Sequence, residues 1–206
     1  MKKSLKLIAL STALVSALYA GDGNRSGFYF GAGVGEAGYS DDGLAKVISG
    51  DDVKTDNDDT NMKIYLGWQF NNVIGVELGY ADYGTFVSEN PLNPYTYEAQ
   101  SYSVAANLGY SFWNSQLRPF VNLGLAYLTT KHENMNPAYQ DLTDDKNIGF
   151  HYGIGFQVEP NILYGLGFRI AYEADTYFTT VEGTYTNDDD YTQTNSLLYA
   201  SVQYKF

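Results

Sequence analysis

Cysteine is absent from all 206 residues, so the chain carries no disulfide framework, no thiolate nucleophile and no cysteine-held metal. Basic residues are few: 12 Lys and Arg stand against 24 Asp and Glu, a formal charge of −12. That balance excludes nucleic-acid binding, which needs a basic face. Proline is scarce at 5 residues, whereas 20 Tyr, 11 Phe and 21 Gly make a composition unusual for a soluble globular domain. Beyond the N-terminus no run is apolar enough for a transmembrane helix, which needs about 20 residues. A hydropathy scan would therefore class the remainder as soluble. It would also miss membrane-spanning strands, whose alternating residues give a much weaker signal. The length suits one domain.

The first twenty residues follow a different rule. Lys2, Lys3 and Lys6 precede the apolar stretch Leu7 to Val15, and small residues lead up to Ala20. A basic start, a short apolar centre and a small-residue end are the three parts of a secretory signal. Cleavage is expected after Ala20, with Ala17 as the alternative, which leaves residues 21–206 as the exported domain.

Read in steps of two, that domain gives eight alternating segments: about Gly27 to Glu36, Thr60 to Phe70, Val73 to Tyr83, Glu98 to Phe112, Leu117 to Thr130, Asn147 to Glu159, Leu163 to Asp175 and Thr194 to Phe206. In the second, Met62, Ile64, Leu66, Trp68 and Phe70 oppose Lys63, Tyr65, Gly67 and Gln69. In the third, Ile74, Val76, Leu78 and Tyr80 oppose Gly75, Glu77, Gly79 and Ala81. In every segment one face is bulky and apolar and the other is small or polar, mostly Gly, Ala and Ser. A soluble sandwich or lipocalin-like barrel also alternates, but it buries its apolar face. Small inward residues suit the narrow lumen of an eight-stranded membrane barrel. Trp68, Phe70, Phe112, Trp113 and Tyr204 fall at segment ends beside short turns, where an interfacial aromatic girdle belongs.

Short and long connections alternate. Asn71-Asn72, Trp113 to Gln116 and Pro160 to Ile162 read as tight turns. The stretches from about Ala37 to Asp59, Gly84 to Tyr97, Lys131 to Lys146 and Thr176 to Gln193 are long and polar. Short periplasmic turns and long extracellular loops are the asymmetry of outer-membrane barrels. The expected fold is all-β, a closed antiparallel eight-stranded transmembrane β-barrel with both termini on the periplasmic side.

The residues Gly27-Phe-Tyr-Phe-Gly-Ala-Gly-Val-Gly35, Gly67-Trp-Gln-Phe-Asn-Asn-Val-Ile-Gly-Val-Glu-Leu-Gly-Tyr80, Arg118-Pro-Phe-Val-Asn-Leu-Gly-Leu-Ala-Tyr127 and Tyr204-Lys-Phe206 carry a likeness to a known group. The chain resembles the OmpA-type superfamily of small eight-stranded outer-membrane barrels, in its single-domain form without a peptidoglycan-binding domain. The resemblance implies that Tyr204 and Phe206 form the C-terminal signal read by the barrel-assembly machinery. It also implies periplasmic chaperones during biogenesis, contact with outer-membrane lipid and lipopolysaccharide, and a monomeric state.

Candidate functional residues share the inward face: Lys63, Glu77, Arg118, His151, Glu159, Arg169, Glu173 and Lys205. Charges in a low-dielectric lumen are expensive unless paired. Glu77 and Glu173 are therefore expected to meet Lys63, Arg169 or both, and Glu159 to lie at the periplasmic mouth with Arg118 and Lys205. Such a network either plugs the lumen or gates a narrow pore. The loops hold most of the acid, in Asp41-Asp42, Asp51-Asp52, Asp56, Asp58-Asp59, Asp144-Asp145 and Asp188-Asp189-Asp190. Oxygen ligands suit Ca²⁺, but Asp51 to Asp59 lack the spacing of an EF-hand loop. The ordinary reading is a solvated, repulsive surface.

His132 and His151 are the two histidines, and neither has a Ser or carboxylate convincingly placed with it for nucleophilic catalysis. Gly31-Ala-Gly33-Val-Gly35 lies inside a strand with no helix behind it, so it is no dinucleotide fingerprint. No catalytic residue, metal site or cofactor is expected. The sequence points to a non-enzymatic outer-membrane anchor presenting acidic loops for envelope integrity, adhesion or recognition of an extracellular ligand. A narrow gated channel for small or hydrophobic solutes is the alternative.

Overall fold

A computed structural model describes residues 26–40, 42, 61–87, 95–112, 116–134, 146–181 and 189–206. Eight strands follow one another: β1 Gly27–Ser40, β2 Asn61–Gln69, β3 Ile74–Val87, β4 Tyr95–Gly109, β5 Leu117–Asn134, β6 Lys146–Val158, β7 Leu166–Val181 and β8 Asp189–Lys205. Each pairs antiparallel with the next, and β8 pairs with β1. Closure leaves no unpaired edge inside the bilayer, where an unsatisfied backbone group would be costly.

The period-two pattern explains the two faces of the wall. In β2 buried and exposed residues alternate without a break, with Ile64, Leu66 and Trp68 outside and Lys63, Tyr65 and Gln69 inside. The outward belt is apolar and ends on most strands in polar residues toward the long connections: Val34 gives way to Glu36, Tyr80 to Asp82, Tyr102 to Gln100, Tyr127 to Thr129, Ile148 to Lys146 and Leu198 to Ser196. At the other end Trp68, Phe70, Tyr110, Phe112 and Tyr204 are exposed beside the short turns. The outward positions between these limits suit an apolar band about 25 Å tall. Trp113 lies outside the described residues.

The structure corrects several expected boundaries. β1, β3, β5, β7 and β8 run four to six residues further toward the long connections than the alternation implied, and β4 starts at Tyr95. Above the belt the outer face meets water, so the apolar mark that identified the strands disappears there while the backbone ladder continues. Between β6 and β7 the chain makes a 3-10 turn over Asn161–Leu163, and Tyr164 and Gly165 adopt positive φ. β7 accordingly begins at Leu166, not Leu163. Ile74, expected outside, is buried beside the Asn71 turn, whose side chain accepts the Val73 and Ile74 amides. The lumen holds large rings as well as small residues: Tyr65, on the face expected for it, with Tyr29, Phe120 and Tyr199.

Room for those rings comes from glycine. A Cβ on Gly31 would land on the Tyr65 ring, and one on Gly67 would land on the Tyr29 ring. A bulge between Asp82 and Thr85, with Gly84 at φ 70°, reverses the alternation of β3. Phe86 thereby turns inward although the even-numbered residues before it, Val76, Leu78 and Tyr80, face lipid.

Above the belt the wall divides. β2 stops at Asn61, and β6 meets β7 only from Phe150 onward. The strands that continue form two sheets, β3–β4–β5 and β7–β8–β1. Their inner faces meet through Tyr39, whose ring stacks on Tyr97 at 4.3 Å and on Phe86 at 5.5 Å.

Candidate functional site

Three strands supply most of the charged lumen side chains, because β2, β3 and β7 place Lys63, Glu77, Arg169, Glu173 and Asp175 on their inward faces. Arg169 reaches from β7 across the barrel to β3 and donates to both oxygens of Glu77, at 3.0 and 2.9 Å. Tyr29 donates to the same carboxylate at 2.8 Å and Asn122 at 3.2 Å. The Arg169 guanidinium lies 3.9 Å from the Tyr65 ring centre and 4.6 Å from that of Phe120. Both bonds come from one guanidinium nitrogen, and the pair is made tolerable in a desolvated lumen by the aromatic faces around the cation and the further donors on the carboxylate.

Lys63 takes the other glutamate, with Nζ 2.6 Å from Glu173. Tyr199 donates to Glu173 at 2.9 Å and Asn122 at 2.8 Å, so Asn122 bridges both carboxylates. Higher up, Nδ1 of His151 is 2.6 Å from Asp175, and Tyr83 donates to that carboxylate at 2.6 Å from the opposite wall. The second His151 nitrogen lies 3.7 Å from Glu173. Of the fully buried groups, Lys63, Arg118 and Arg169 balance Glu77, Glu173 and Asp175.

Toward the periplasmic mouth the network becomes amide-rich. Arg118 donates to Asn107 at 2.5 Å, and Asn107 donates to Asn122 at 2.8 Å. Gln157 and Gln203 both donate to Glu159, and Lys205 donates to Gln69 at 2.6 Å. Glu159 and Lys205 line a cavity of about 270 Å³ at the mouth, with Pro160 and Phe206.

All eight inward candidates thus lie in or at the end of one lumen. Each glutamate of the central pair has its own cation: Glu77 meets Arg169 and Glu173 meets Lys63. Arg118, the second residue of β5 after a short turn, contacts Asn107 and comes within reach of the Val73 carbonyl. Asp175 and Tyr83 were not among the candidates, nor were the bridging amides Asn107 and Asn122. Asp175 continues the inward series Arg169, Ala171, Glu173, but it stood at the expected strand end, where facing is not fixed. The acidic segments at 41, 51–59, 144–145 and 188 fall outside the described residues, as does the His132 side chain.

The model of a known family, described as outer membrane protein beta-barrel domain, matches residues 7–206. The chain belongs to that family. Its place is accordingly the outer membrane of a Gram-negative envelope. No curated protein matches the chain. Solved structures similar to it include Ail, the attachment invasion locus protein of Yersinia pestis, in complex with the heparin analogue sucrose octasulfate. That likeness is at 17% identity and a TM-score of 0.51, over 87% of this chain and 99% of that one. Neisserial surface protein A is similar at 15% identity and 0.51, over 87% and 97%. Outer membrane protein W of E. coli is similar at 19% and 0.51, over 89% and 100%. At these identities the likeness is one of fold.

Proposed function

We propose that the barrel is a plugged, non-enzymatic anchor that holds the acidic connections at the cell surface, where they serve envelope integrity, adhesion or recognition. One observation carries this reading: side chains from opposite walls meet across the lumen at successive heights, in Glu77–Arg169, Lys63–Glu173 and Tyr83–Asp175. A cross-section filled by hydrogen-bonded, charge-balanced groups leaves no water column for ions to follow. The acidic sequence between the strands argues further that any surface ligand is cationic or neutral. Sucrose octasulfate, the polyanion bound to Ail, would meet like charge here.

A gated channel is the second reading, favoured by Asn122. Its amide touches Glu77 and Glu173 together, so the two carboxylates share a hinge about which partners could exchange. Single-channel recording of the mature chain, residues 21–206, in planar bilayers separates the two. The anchor reading expects silence from the native chain and from Glu77→Ala. Discrete openings in the native chain, made larger or more frequent by Glu77→Ala, would establish the gate and overturn the anchor.

A further inference from the structure

The cavity of about 270 Å³ at the periplasmic mouth lies on the seam where the barrel closes. Its lining comes from Ser26 ahead of β1, from Glu159, Pro160 and Asn161 between β6 and β7, and from Lys205 and Phe206 at the end of β8. β1 and β8 are the closing pair, and the Phe206 amide donates to the Phe28 carbonyl at 2.9 Å. Gly27 permits the approach. A Cβ there would lie 2.8 Å from the backbone oxygen of Phe206 and 3.2 Å from Cε of Lys205.

The cavity carries charges of both signs. Gln157 and Gln203 donate to one oxygen of Glu159, Oε1, and a carboxylate has acceptor sites on both oxygens. The two cations expected to meet Glu159 turn to amides, Arg118 to Asn107 and Lys205 to Gln69. A further cation adjoins the cavity through the chain itself: Arg25 immediately precedes Ser26. Consecutive Cα atoms are about 3.8 Å apart, so connectivity alone brings Arg25 to the rim that Ser26 lines. Its guanidinium is a planar fork that matches a carboxylate. After the expected cleavage five residues stand ahead of Ser26, Gly21-Asp22-Gly23-Asn24-Arg25, with one charge of each sign. Fully extended they span at most about 18 Å, less than the apolar band of about 25 Å, so they can act only at this end of the barrel.

We propose that Gly21 to Arg25 form a latch over the mouth cavity, with the Arg25 guanidinium seated on the Glu159 carboxylate. The latch runs from the start of β1 to the turn between β6 and β7, and on the way it crosses the ends of β8 and β7. It therefore braces the closing seam, because β1 and β8 part at this end only when Arg25 leaves Glu159. It also covers the mouth below the ionic network of the lumen.

The test is double electron–electron resonance on the mature chain, residues 21–206, folded into phosphatidylcholine vesicles. The sequence has no cysteine, so introduced thiols carry the only labels. Gly23→Cys puts one nitroxide on the segment. Ile162→Cys puts the other on the β6–β7 turn, at a side chain that is 79% exposed and does not line the cavity. Position 23 lies within about 11 Å of Ser26 along the chain, so a loose segment sweeps a wide range of distances and a latched one gives a single narrow distribution. The narrow distribution is expected. Arg25→Gln should broaden it, Glu159→Gln should broaden it equally, and the two together should add nothing further. Without labels, Arg25→Gln should speed unfolding in urea about two- to fivefold, the worth of a partly exposed ion pair. A broad distribution in the labelled parent overturns the latch and leaves the cavity to a solute ion. A narrow one that survives Arg25→Gln or Glu159→Gln overturns the pairing. Arg25 belongs to no strand, so its variant decides the matter even if Glu159→Gln folds poorly, and an unchanged unfolding rate in Arg25→Gln overturns the brace on the seam.

Discussion

Around Glu77 three donors converge, from β1, β5 and β7, and the carboxylate is 3% exposed. Removing it strands the Arg169 charge in the lumen, a change that costs about 3–5 kcal/mol when a buried pair loses one member. Glu77→Ala should therefore unfold at lower urea than the native barrel in phosphatidylcholine vesicles. Adding Arg169→Met should recover most of the loss, because no unpaired charge then remains. The neighbouring rings set a second constraint. Tyr65 bonds Ser201 at 2.9 Å and lies against Arg169, so it cannot swing aside for a Cβ on Gly31. Gly31→Ala should destabilise by about 1–3 kcal/mol, the ordinary cost of overpacking, in the same unfolding assay. A milder effect would mean that Tyr65 has room to move.

The strands show which parts of this fold the sequence carries openly. Within the lipid-facing band every second residue is apolar because hydrocarbon demands it, so the count of strands and the facing of residues such as Lys63, Glu77 and Arg169 could be read directly. Above the band the demand lapses, and the ends of β1, β5 and β7 carried no such mark. The bulge at Gly84 reversed the facing of Phe86, which no count of two could foresee. For the lumen, periodicity gave the face but not the height. Glu77 on β3 and Arg169 on β7 meet only because of how far each strand is staggered in the closed barrel, a quantity the turns and pairings set together. The last strand poses its own question. The Phe206 side chain is 76% exposed, 5.9 Å from the Phe28 ring, and its amide donates to the Phe28 carbonyl at 2.9 Å. Phe206→Ala keeps that backbone bond and gives up little burial, so the refolded barrel should be about as stable as the native one. If Tyr204 and Phe206 are an assembly signal, the same variant should accumulate far less in the outer membrane of cells. Equal accumulation would remove the signal and leave Phe206 as an ordinary interfacial ring.

At the scale of the molecule, side chains of the described residues cross the lumen at two levels in series, and the anchor reading takes both as closures. The lower closure is the ionic network from Glu159 to Asp175, and it lies within the belt. The upper one lies where β3–β4–β5 faces β7–β8–β1, and it is made of rings and hydroxyls. There Tyr39 stacks on Tyr97, the Tyr97 and Tyr177 hydroxyls are 3.1 Å apart, and Asn195 donates to Tyr97 at 2.9 Å. Barriers in series add, so widening one leaves current limited by the other. Glu77→Ala should stay silent in planar bilayers for this reason, and Tyr97→Ala alone should stay silent as well. Combining them removes a cross-lumen contact at each level, and the double variant should conduct with small, discrete steps. If Glu77→Ala alone opened the barrel, the upper closure would be no seal, and the two sheets above the belt would serve only to hold the surface connections in place. If the combined variant remained silent while still closed and folded by circular dichroism, the remaining contacts, Lys63–Glu173 and Tyr83–Asp175, would be sufficient to block the lumen. The anchor reading would then stand on the redundancy of its plug.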